Sequence, residues 1–255
     1  MQPIEIFLNR LAEKNEIFSE ISHKLSTEIT DVTSLEKYLS ATDGTTEYKL
    51  YVSDEKNDNP VADEISRIFA ETGHTVITDE FLNIIDDNDR ITDNSKPRSL
   101  VHRDGELHPT VHVWLIRRRD MGIYVLLQKR SSAKDIYPDL WDVSSAGHVR
   151  QGQEYGITAV KETREELGLE IAREKLEFLG FRKNSHIEEN IKDNELTAVF
   201  MCREVVDDSM INSSPEEVSE TGWAEIDELI SVMNDTEIKS CISVEELAMI
   251  KKAVF

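Results

Sequence analysis

Three glutamates share one face of a predicted helix and could bind a divalent cation. Glu162, Glu165 and Glu166 are spaced i, i+3 and i+4, and residues at that spacing lie on the same side of an α-helix. Carboxylates crowded on one arc repel each other unless a cation lies among them. A set of oxygen ligands suits a hard cation such as Mg²⁺ or Mn²⁺. A solvated charged face would give the same spacing, so these residues alone leave both interpretations open.

A helix over residues 153–167 is predicted to present these glutamates. Ile157, Val160, Thr163 and Leu167 occupy roughly the opposite face, which is expected to be buried. Gly168 follows directly and is typical of a helix end. The glutamates would therefore extend from a helix whose other side packs on the core.

The surrounding segment, GHVRQGQEYGITAVKETREELGL, resembles the Nudix box. That pattern is a glycine, five residues, a glutamate, seven residues, Arg-Glu, an aliphatic, any residue, Glu-Glu, any residue, glycine and an aliphatic. Six positions match in register, namely Gly147, Glu162, Glu165, Glu166, Gly168 and Leu169. The resemblance implies an α+β fold, the α/β/α Nudix sandwich with a mixed β-sheet. It also implies hydrolysis of a diphosphate linkage with Mg²⁺ or Mn²⁺ held by the three glutamates.

Three positions depart from the box. Gln153 stands where the family has glutamate, Lys161 where it has arginine, and Thr163 where it has an aliphatic residue. In the family the first two residues commonly pair to brace the loop against the helix. Gln153 can still accept a hydrogen bond from Lys161, but the bidentate, charge-assisted contact is lost. Neighbouring Glu154 is an alternative for any metal role of the missing glutamate.

The run from Val101 to Val149 resembles a narrower branch, which contains type I isopentenyl-diphosphate isomerase and its hydrolase relatives. The isomerases hold a metal with three histidines and two acidic residues. The matching residues here are His102, His108, His148, Asp193 and Glu195. The resemblance implies a second cation site, for which imidazole and carboxylate ligands would suit Mn²⁺ or Zn²⁺. Each histidine alone is more typical of an ordinary surface or core position.

The isomerase activity itself is not expected. Isomerisation moves a proton on and off carbon, and the family uses a cysteine directly before the Gly-His step. Ala146 stands there, and Ser144 and Ser145 are poor proton donors without activation. Two alternatives to hydrolysis nevertheless remain: an isopentenyl-diphosphate isomerase-like protein, and a non-catalytic ligand sensor in which the changed Gln153 and Lys161 report lost catalysis.

Further site candidates come from the strands and loops around the box. Glu217 could supply a late metal ligand, and either it or Glu166 could accept the proton from the attacking water. Lys129 and Arg130 end a predicted strand and could reach a phosphate, and Trp141 could line the cleft. The ordinary alternatives are a solvated turn for Glu217, surface positions for the two cations and buried packing for Trp141.

Composition limits the class of partner. The chain has 255 residues with 29 Lys and Arg against 51 Asp and Glu, a net charge of -22. Binding to extended nucleic acid or to anionic membrane is therefore not expected, because both depend on clustered cations. A small-molecule diphosphate remains a suitable partner, since a metal can supply positive charge. Two cysteines and an N-terminus without a basic start or long apolar run favour a cytoplasmic protein.

The chain is predicted to comprise an α/β extension over residues 1–78 and a Nudix domain over residues 79–255. The extension has no chemical motif; packing or dimerisation is the simplest role, which leaves a homodimer open, and a regulatory ligand domain is the alternative. Its predicted elements are helices over 4–24 and 61–71, a helix beginning at Thr33, and strands over 49–52 and 74–78.

The predicted elements of the second segment mix strands and helices irregularly, as in an α+β fold. Strands are expected over residues 80–86, 111–117, 122–130, 176–182 and 196–203, and helices over 153–167, 224–233 and 244–253. Loops are expected over 92–98 and 131–140.

Overall fold

The computed structural model of the chain describes residues 37–41, 48–53, 75–120, 122–134, 137–188, 191–204, 206–233 and 240–254. The chain divides into two compact units, Met1–Phe81 with Lys96–Leu100, and Leu82–Ser95 with Val101–Phe255. The helices predicted over 4–24 and 61–71 lie outside the described residues. No helix within the described ranges is long and apolar enough to cross a bilayer.

The first unit contains a three-stranded sheet of β1 (Lys37–Ala41), β2 (Tyr48–Ser53) and β3 (Thr75–Asp79). Strand β1 pairs antiparallel with β2, and β2 pairs parallel with β3. The strands predicted over 49–52 and 74–78 are therefore confirmed. The helix predicted to begin at Thr33 is wrong for the described residues from Lys37 onward, because their backbone pairs with β2 as a strand.

A hairpin and a short helix follow, formed by β4 (Phe81–Ile85), β5 (Ile91–Pro97) and α1 (Arg98–Asp104). In the hairpin turn, Asp86 Oδ1 accepts hydrogen bonds from the backbone N–H groups of Asn88 and Arg90, at 2.8 and 3.0 Å. The loop predicted over 92–98 is wrong, because the tight turn returns the chain alongside β4 and so makes this segment a strand.

The second unit is built on one mixed sheet of seven strands, which are β6 Leu107–Arg119, β7 Gly122–Arg130, β8 Trp141–Asp142, β9 Ser145–His148, β10 Leu176–Glu188, β11 Ile191–Cys202 and β12 Val218–Glu225. Their order is β10-β11-β6-β7-β12, with β9 paired to β6 and β8 to β7. Strand β6 runs parallel to β11, and the other pairs are antiparallel. All four predicted strands from 111 onward are confirmed, whereas β8, β9 and β12 were missed.

Three helices flank this sheet, namely α2 (Tyr155–Leu167), α3 (Ile226–Met233) and α4 (Val244–Val254). All three were predicted to within about two residues at each end, in the range normal for helix boundaries. Helix α2 ends at Gly168, whose φ is 68°. A Cβ there would lie 2.7 Å from the backbone oxygen of Asn212, so both the left-handed backbone and the space require glycine.

Strand β6 is buried on both faces and separates two apolar layers. Val111, Val113 and Leu115 pack in one cluster with residues of α2. Trp114 and Ile116 alternate with them and pack in the other cluster, with residues of α3 and α4. Helices on both faces of a mixed sheet confirm the predicted α+β, α/β/α architecture.

Candidate active site

The beginning of the box loop and helix α2 meet where Glu162 lies against Gly147. A Cβ at Gly147 would lie 2.3 Å from Cδ of Glu162, which is closer than two carbon atoms can approach without covalent bonding. Any larger residue at 147 would displace the carboxyl group. The glycine therefore allows the backbone of β9 and the carboxylate of helix α2 to come together.

Glu166 is buried rather than displayed to solvent, with 3% of the residue exposed. Its Oε2 accepts hydrogen bonds from Nε2 of Gln128 and from the backbone N–H of Ala146, both at 3.0 Å. Burial raises the pKa of this carboxyl group, and nearby Lys134 opposes the shift. A carboxylate with a raised pKa is a stronger base, and the two hydrogen bonds fix this one against β7 and β9.

The orientation of α2 confirms part of the predicted buried face and corrects the rest. Thr163 and Leu167 are buried as predicted, together with Ala159 and Glu166, whereas Ile157 is 51% exposed and Val160 is half-buried. The helix is rotated because Glu166 hydrogen-bonds inward to β7 and β9. Thr163 fits the buried position that is aliphatic in the family, since its hydroxyl donates to the backbone oxygen of Ala159 at 2.8 Å.

The three predicted histidines lie together although they come from α1, β6 and β9. The ring centroids of His102, His108 and His148 are 5.1 to 5.5 Å apart. Asp193 Oδ1 lies 3.7 Å from Nε2 of His102 and 3.5 Å from Nε2 of His108. Two groups of potential ligand atoms can be distinguished. The first takes one atom from each of the three histidines, and the second takes one atom each from His108, Asp193 and Glu195. Within each group the atoms lie within 4.8 Å of one another.

Strand register explains why residues so distant in sequence meet here. The parallel pairing of β11 with β6 places Glu195 opposite His108, and the antiparallel pairing of β9 places His148 opposite Thr110. His108 Nδ1 donates to the backbone oxygen of Glu106 at 3.0 Å. That bond fixes the tautomer in which Nε2 carries the lone pair, as is usual for a metal-ligating histidine.

The charges of this group favour a bound cation. Burial and the neighbouring Asp193 raise the pKa of Glu195 to about 7, opposed by His112 and Arg182. Two adjacent, largely buried carboxyl groups disfavour each other's ionisation, and a divalent ion between them would reverse that effect. The donor set of imidazole nitrogens and carboxylate oxygens therefore fits a borderline divalent metal.

Comparison with known proteins places this geometry in a family. The NUDIX domain model matches residues 106–242. The chain belongs to the NUDIX domain family. The predicted family and its fold are thereby confirmed. The predicted enzyme class, a Nudix-type pyrophosphohydrolase that acts on acid anhydrides, is confirmed as well.

Individual relatives carry different names. An uncharacterized Nudix hydrolase of Clostridium acetobutylicum is 33% identical over 158 residues, which cover 62% of this chain and 75% of that protein. An isopentenyl-diphosphate Delta-isomerase of Klebsiella pneumoniae is 28% identical over 133 residues, covering 52% and 69%. Nudix hydrolase 3 of Arabidopsis thaliana is 39% identical over 101 residues, covering 40% of this chain and 13% of that protein. The match to a solved structure from Deinococcus radiodurans covers 68% of this chain and 98% of that one, with a TM-score of 0.49 and 20% sequence identity.

The residues that replace the usual Nudix Glu-Arg pair do not brace each other. Gln153 Oε1 accepts a hydrogen bond from Thr158 Oγ1 at 3.2 Å, and Lys161 Nζ lies 3.7 Å from a carboxylate oxygen of Glu165. Glu154, the proposed substitute, instead pairs with Arg173 at the surface, at 3.2 Å. In this Nudix protein, Lys161 therefore forms an ion pair with the predicted ligand Glu165 and does not brace the loop.

The other predicted site residues differ in what they contact. Glu217 forms an ion pair with Lys134. The charge of the same lysine opposes the rise in the pKa of Glu166. Arg130 is bound to Asp142, with Nη1 to Oδ2 at 3.0 Å, so much of its charge is already compensated.

Lys129 and Trp141 sit opposite each other in the pairing of β7 with β8. Trp141 is half-buried and packs against the apolar cluster that contains Trp114. This contact agrees with the packing alternative for Trp141. Lys129 is partly exposed at the end of β7, where its predicted role toward a phosphate stays a prediction.

A polar group beside the histidine set was not predicted from the sequence. His112, Trp114 and Arg182 all hydrogen-bond to Glu246 of α4. His112 could have been noticed as a histidine inside a strand that is otherwise apolar. Glu246 gave no such signal, because it follows His112 by 134 residues and resembles an ordinary surface position of an amphipathic helix.

Proposed function

We propose that this protein hydrolyses a diphosphate linkage in a nucleoside diphosphate derivative or another small organic diphosphate, with Mg²⁺ or Mn²⁺. One observation carries the proposal: Gly147 and His148 are consecutive, and they join the two candidate ligand groups. Glu162 lies against the first residue, and the second lies in the histidine set. A substrate bound at this end of β9 would meet both groups.

Two sets of residues would hold cations. The oxygen-only set is Glu162, Glu165 and Glu166, which suits Mg²⁺ or Mn²⁺. The mixed set is His102, His108, His148, Asp193 and Glu195, which suits Mn²⁺ or Zn²⁺. A bound divalent metal would neutralise the negative charge of the diphosphate oxygens and activate a water molecule.

Proton transfer would fall to a carboxylate of the chain. Glu166 is the better candidate, because it is buried and its hydrogen bonds fix its position beside β9. Glu217 is the alternative, although its ion pair with Lys134 competes for its oxygens. Lys134, which acts on both carboxylates, would lower the repulsion between them and an anionic substrate.

The isomerase alternative has one observation in its favour, the assembled histidine and carboxylate set. The neighbouring serines argue against it. Ser144 is fully buried, donates to the backbone oxygen of Leu126 at 2.7 Å and accepts from the backbone N–H of Leu115 at 2.8 Å. Ser145 is also fully buried, and Ala146 carries only a methyl group, so no side chain of this segment is suited to protonate an alkene.

The test is a panel of nucleoside diphosphate derivatives and other organic diphosphates, each assayed with Mg²⁺ and with Mn²⁺. Release of monophosphate products that requires the metal is expected for at least one compound class. Glu170→Gln is a suitable control, since Glu170 is exposed just after the box; it should behave as wild type. A protein that binds metal and folds but hydrolyses no member of the panel would contradict the proposal and favour a ligand sensor.

A further inference from the structure

A buried polar cluster lies beside the histidine set and contains none of its predicted ligands. Glu246 is fully buried and is held by three donors. His112 Nδ1 lies 3.0 Å from both carboxylate oxygens, Trp114 Nε1 donates at 2.8 Å, and Arg182 Nε donates at 2.7 Å. A carboxylate with this many donors is fixed in place, and it fixes the imidazole in turn.

The cluster leaves one nitrogen of His112 for another group. Because Nδ1 donates to Glu246, Nε2 points away from that carboxylate on the opposite side of the ring. The His112 side chain is 12% exposed, against 9% for Arg182 and 0% for Glu246. His112 is therefore the most exposed of these three ion-paired side chains.

Strand register places His112 next to the candidate metal set. Alternate residues of β6 share a face, so His108 and His112 lie on the same side of the sheet. His112 pairs with Ala146, and His148 is the next residue of β9 on that face. Same-face neighbours on a strand are about 7 Å apart. Ala146, which separates the two imidazoles along β9, carries only a methyl group.

The charged groups around His112 favour its protonated form. They are Glu246 on α4, Asp142 on β8, Glu195 on β11 and, bonded to the same carboxylate, Arg182 on β10. Burial of the ring opposes protonation, but the three carboxylates outweigh it, Glu246 most, and raise the pKa of His112 to about 9. At neutral pH, Nε2 therefore carries a hydrogen and the ring a positive charge.

We propose that His112 binds an oxygen of the substrate's diphosphate group through Nε2–H, and that Glu246 is the positioning residue that orients this donor. The inference rests on the proposed function, since it assigns a contact within the same site. A charged donor forms a stronger hydrogen bond to a phosphate oxygen than a neutral one. In a chain whose net charge is -22, a positively charged imidazole ring suits an anionic ligand.

The test measures binding of methylenediphosphonate, a diphosphate analogue that resists hydrolysis, by calorimetry with Mg²⁺ and with Mn²⁺. Loss of a charged hydrogen bond in His112→Gln should weaken binding about 10- to 100-fold. For the best substrate of the panel, kcat/KM should fall by a similar factor. Added imidazole should restore part of the affinity in His112→Ala. Arg203→Gln, which removes a surface ion pair with Glu177, is the control and should bind as wild type.

Glu246→Gln separates a positioning role from a structural one. In the wild type, affinity should fall as the pH rises toward about 9, where His112 loses its proton. In Glu246→Gln the midpoint of that fall should move to lower pH, because the carboxylate that stabilises the imidazolium is gone. This shift also tests the inference if His112→Gln fails to fold.

Several results would overturn the inference. Variants that melt at lower temperature but bind the analogue as tightly as wild type, with an unchanged pH midpoint, would show that the cluster only braces α4. Wild-type protein that fails to bind methylenediphosphonate with either metal would also overturn it. Wild-type protein that binds the analogue but hydrolyses no diphosphate would contradict the proposed function alone, and the binding data would still decide the role of His112.

Discussion

Asp193 Oδ1 lies 3.5 Å from Nε2 of His108, although the two residues come from different strands. Parallel pairing of β11 with β6 creates this proximity, because Glu195 is aligned with His108 and Asp193 precedes it by two residues on the same face. The contact brings an imidazole nitrogen and a carboxylate oxygen into one buried group. Its chemistry is that of a metal site, and its consequences can be measured.

Metal content should depend on the histidine set. His148→Ala and Glu195→Gln should each lower the affinity for Mn²⁺ by at least about tenfold, the usual effect of changing a residue of a metal site. Metal analysis of protein purified without chelator, followed by Mn²⁺ titration, measures this. Asp208→Asn, at a surface ion pair with Arg117, is the control. Unchanged content and affinity in both site variants would exclude this set as ligands.

Gly147→Ala should destabilise the fold, because its Cβ would overlap the carboxyl group of Glu162. Overpacking of this kind costs about 1–3 kcal/mol, measurable by denaturant unfolding. Gly222→Ala is the matched control, since a Cβ there would have Trp141 as its nearest neighbour, at 3.8 Å. Adding Glu162→Ala to Gly147→Ala should recover most of the stability. If the double variant is no more stable than the single one, the overlap is not the cause.

The pair of His112 and Glu246 should make stability depend on pH in the alkaline range. The pKa of His112 is raised from 6.5 to about 9 in the folded protein, so the folded state binds more protons than the unfolded state between these values. The free energy of unfolding should therefore fall as pH rises from 6.5 toward 9, by up to about 3 kcal/mol. Urea unfolding of wild type and His112→Gln across this range measures it. An equally steep fall in the variant would assign the effect to other groups.

Isopentenyl diphosphate should not be isomerised by the wild-type protein, because Ala146 and the buried Ser144 and Ser145 offer no suitable proton donor. Product analysis for dimethylallyl diphosphate, with a known isomerase as the positive control, measures this. Ala146→Cys should yield at most trace conversion. Robust conversion by the wild type would show that another group carries the proton.

The residues of the box helix could be predicted from the sequence, but the burial of their side chains could not. The box spacing located Glu162, Glu165 and Glu166, because helical periodicity is a local property. It also led to the expectation that Ile157 would be buried and the glutamates would face outward. The structure buries Glu166 instead, since Gln128 and the backbone of Ala146 offer it hydrogen bonds from other strands.

Strand pairing was the harder part to predict. Strand β5 was assigned to a loop, since its residues only become a strand through the turn at Asp86 that returns the chain to β4. The bond between His112 and Glu246 was missed because it joins β6 to α4 across 134 residues. The histidine set was found only through its resemblance to a metal-binding branch, since no local pattern links His102 with Asp193.

The central claim is that the carboxylates of the box helix carry out metal-dependent hydrolysis, and Glu166→Gln tests it most directly. The change keeps the shape of the side chain and removes its charge, so the protein should fold with an unchanged circular dichroism spectrum. Hydrolysis of the best diphosphate substrate, measured with saturating Mg²⁺ or Mn²⁺, should fall at least about a hundredfold. Glu170→Gln should retain wild-type activity. Full activity in Glu166→Gln would contradict the account and remove Glu166 from the catalytic residues.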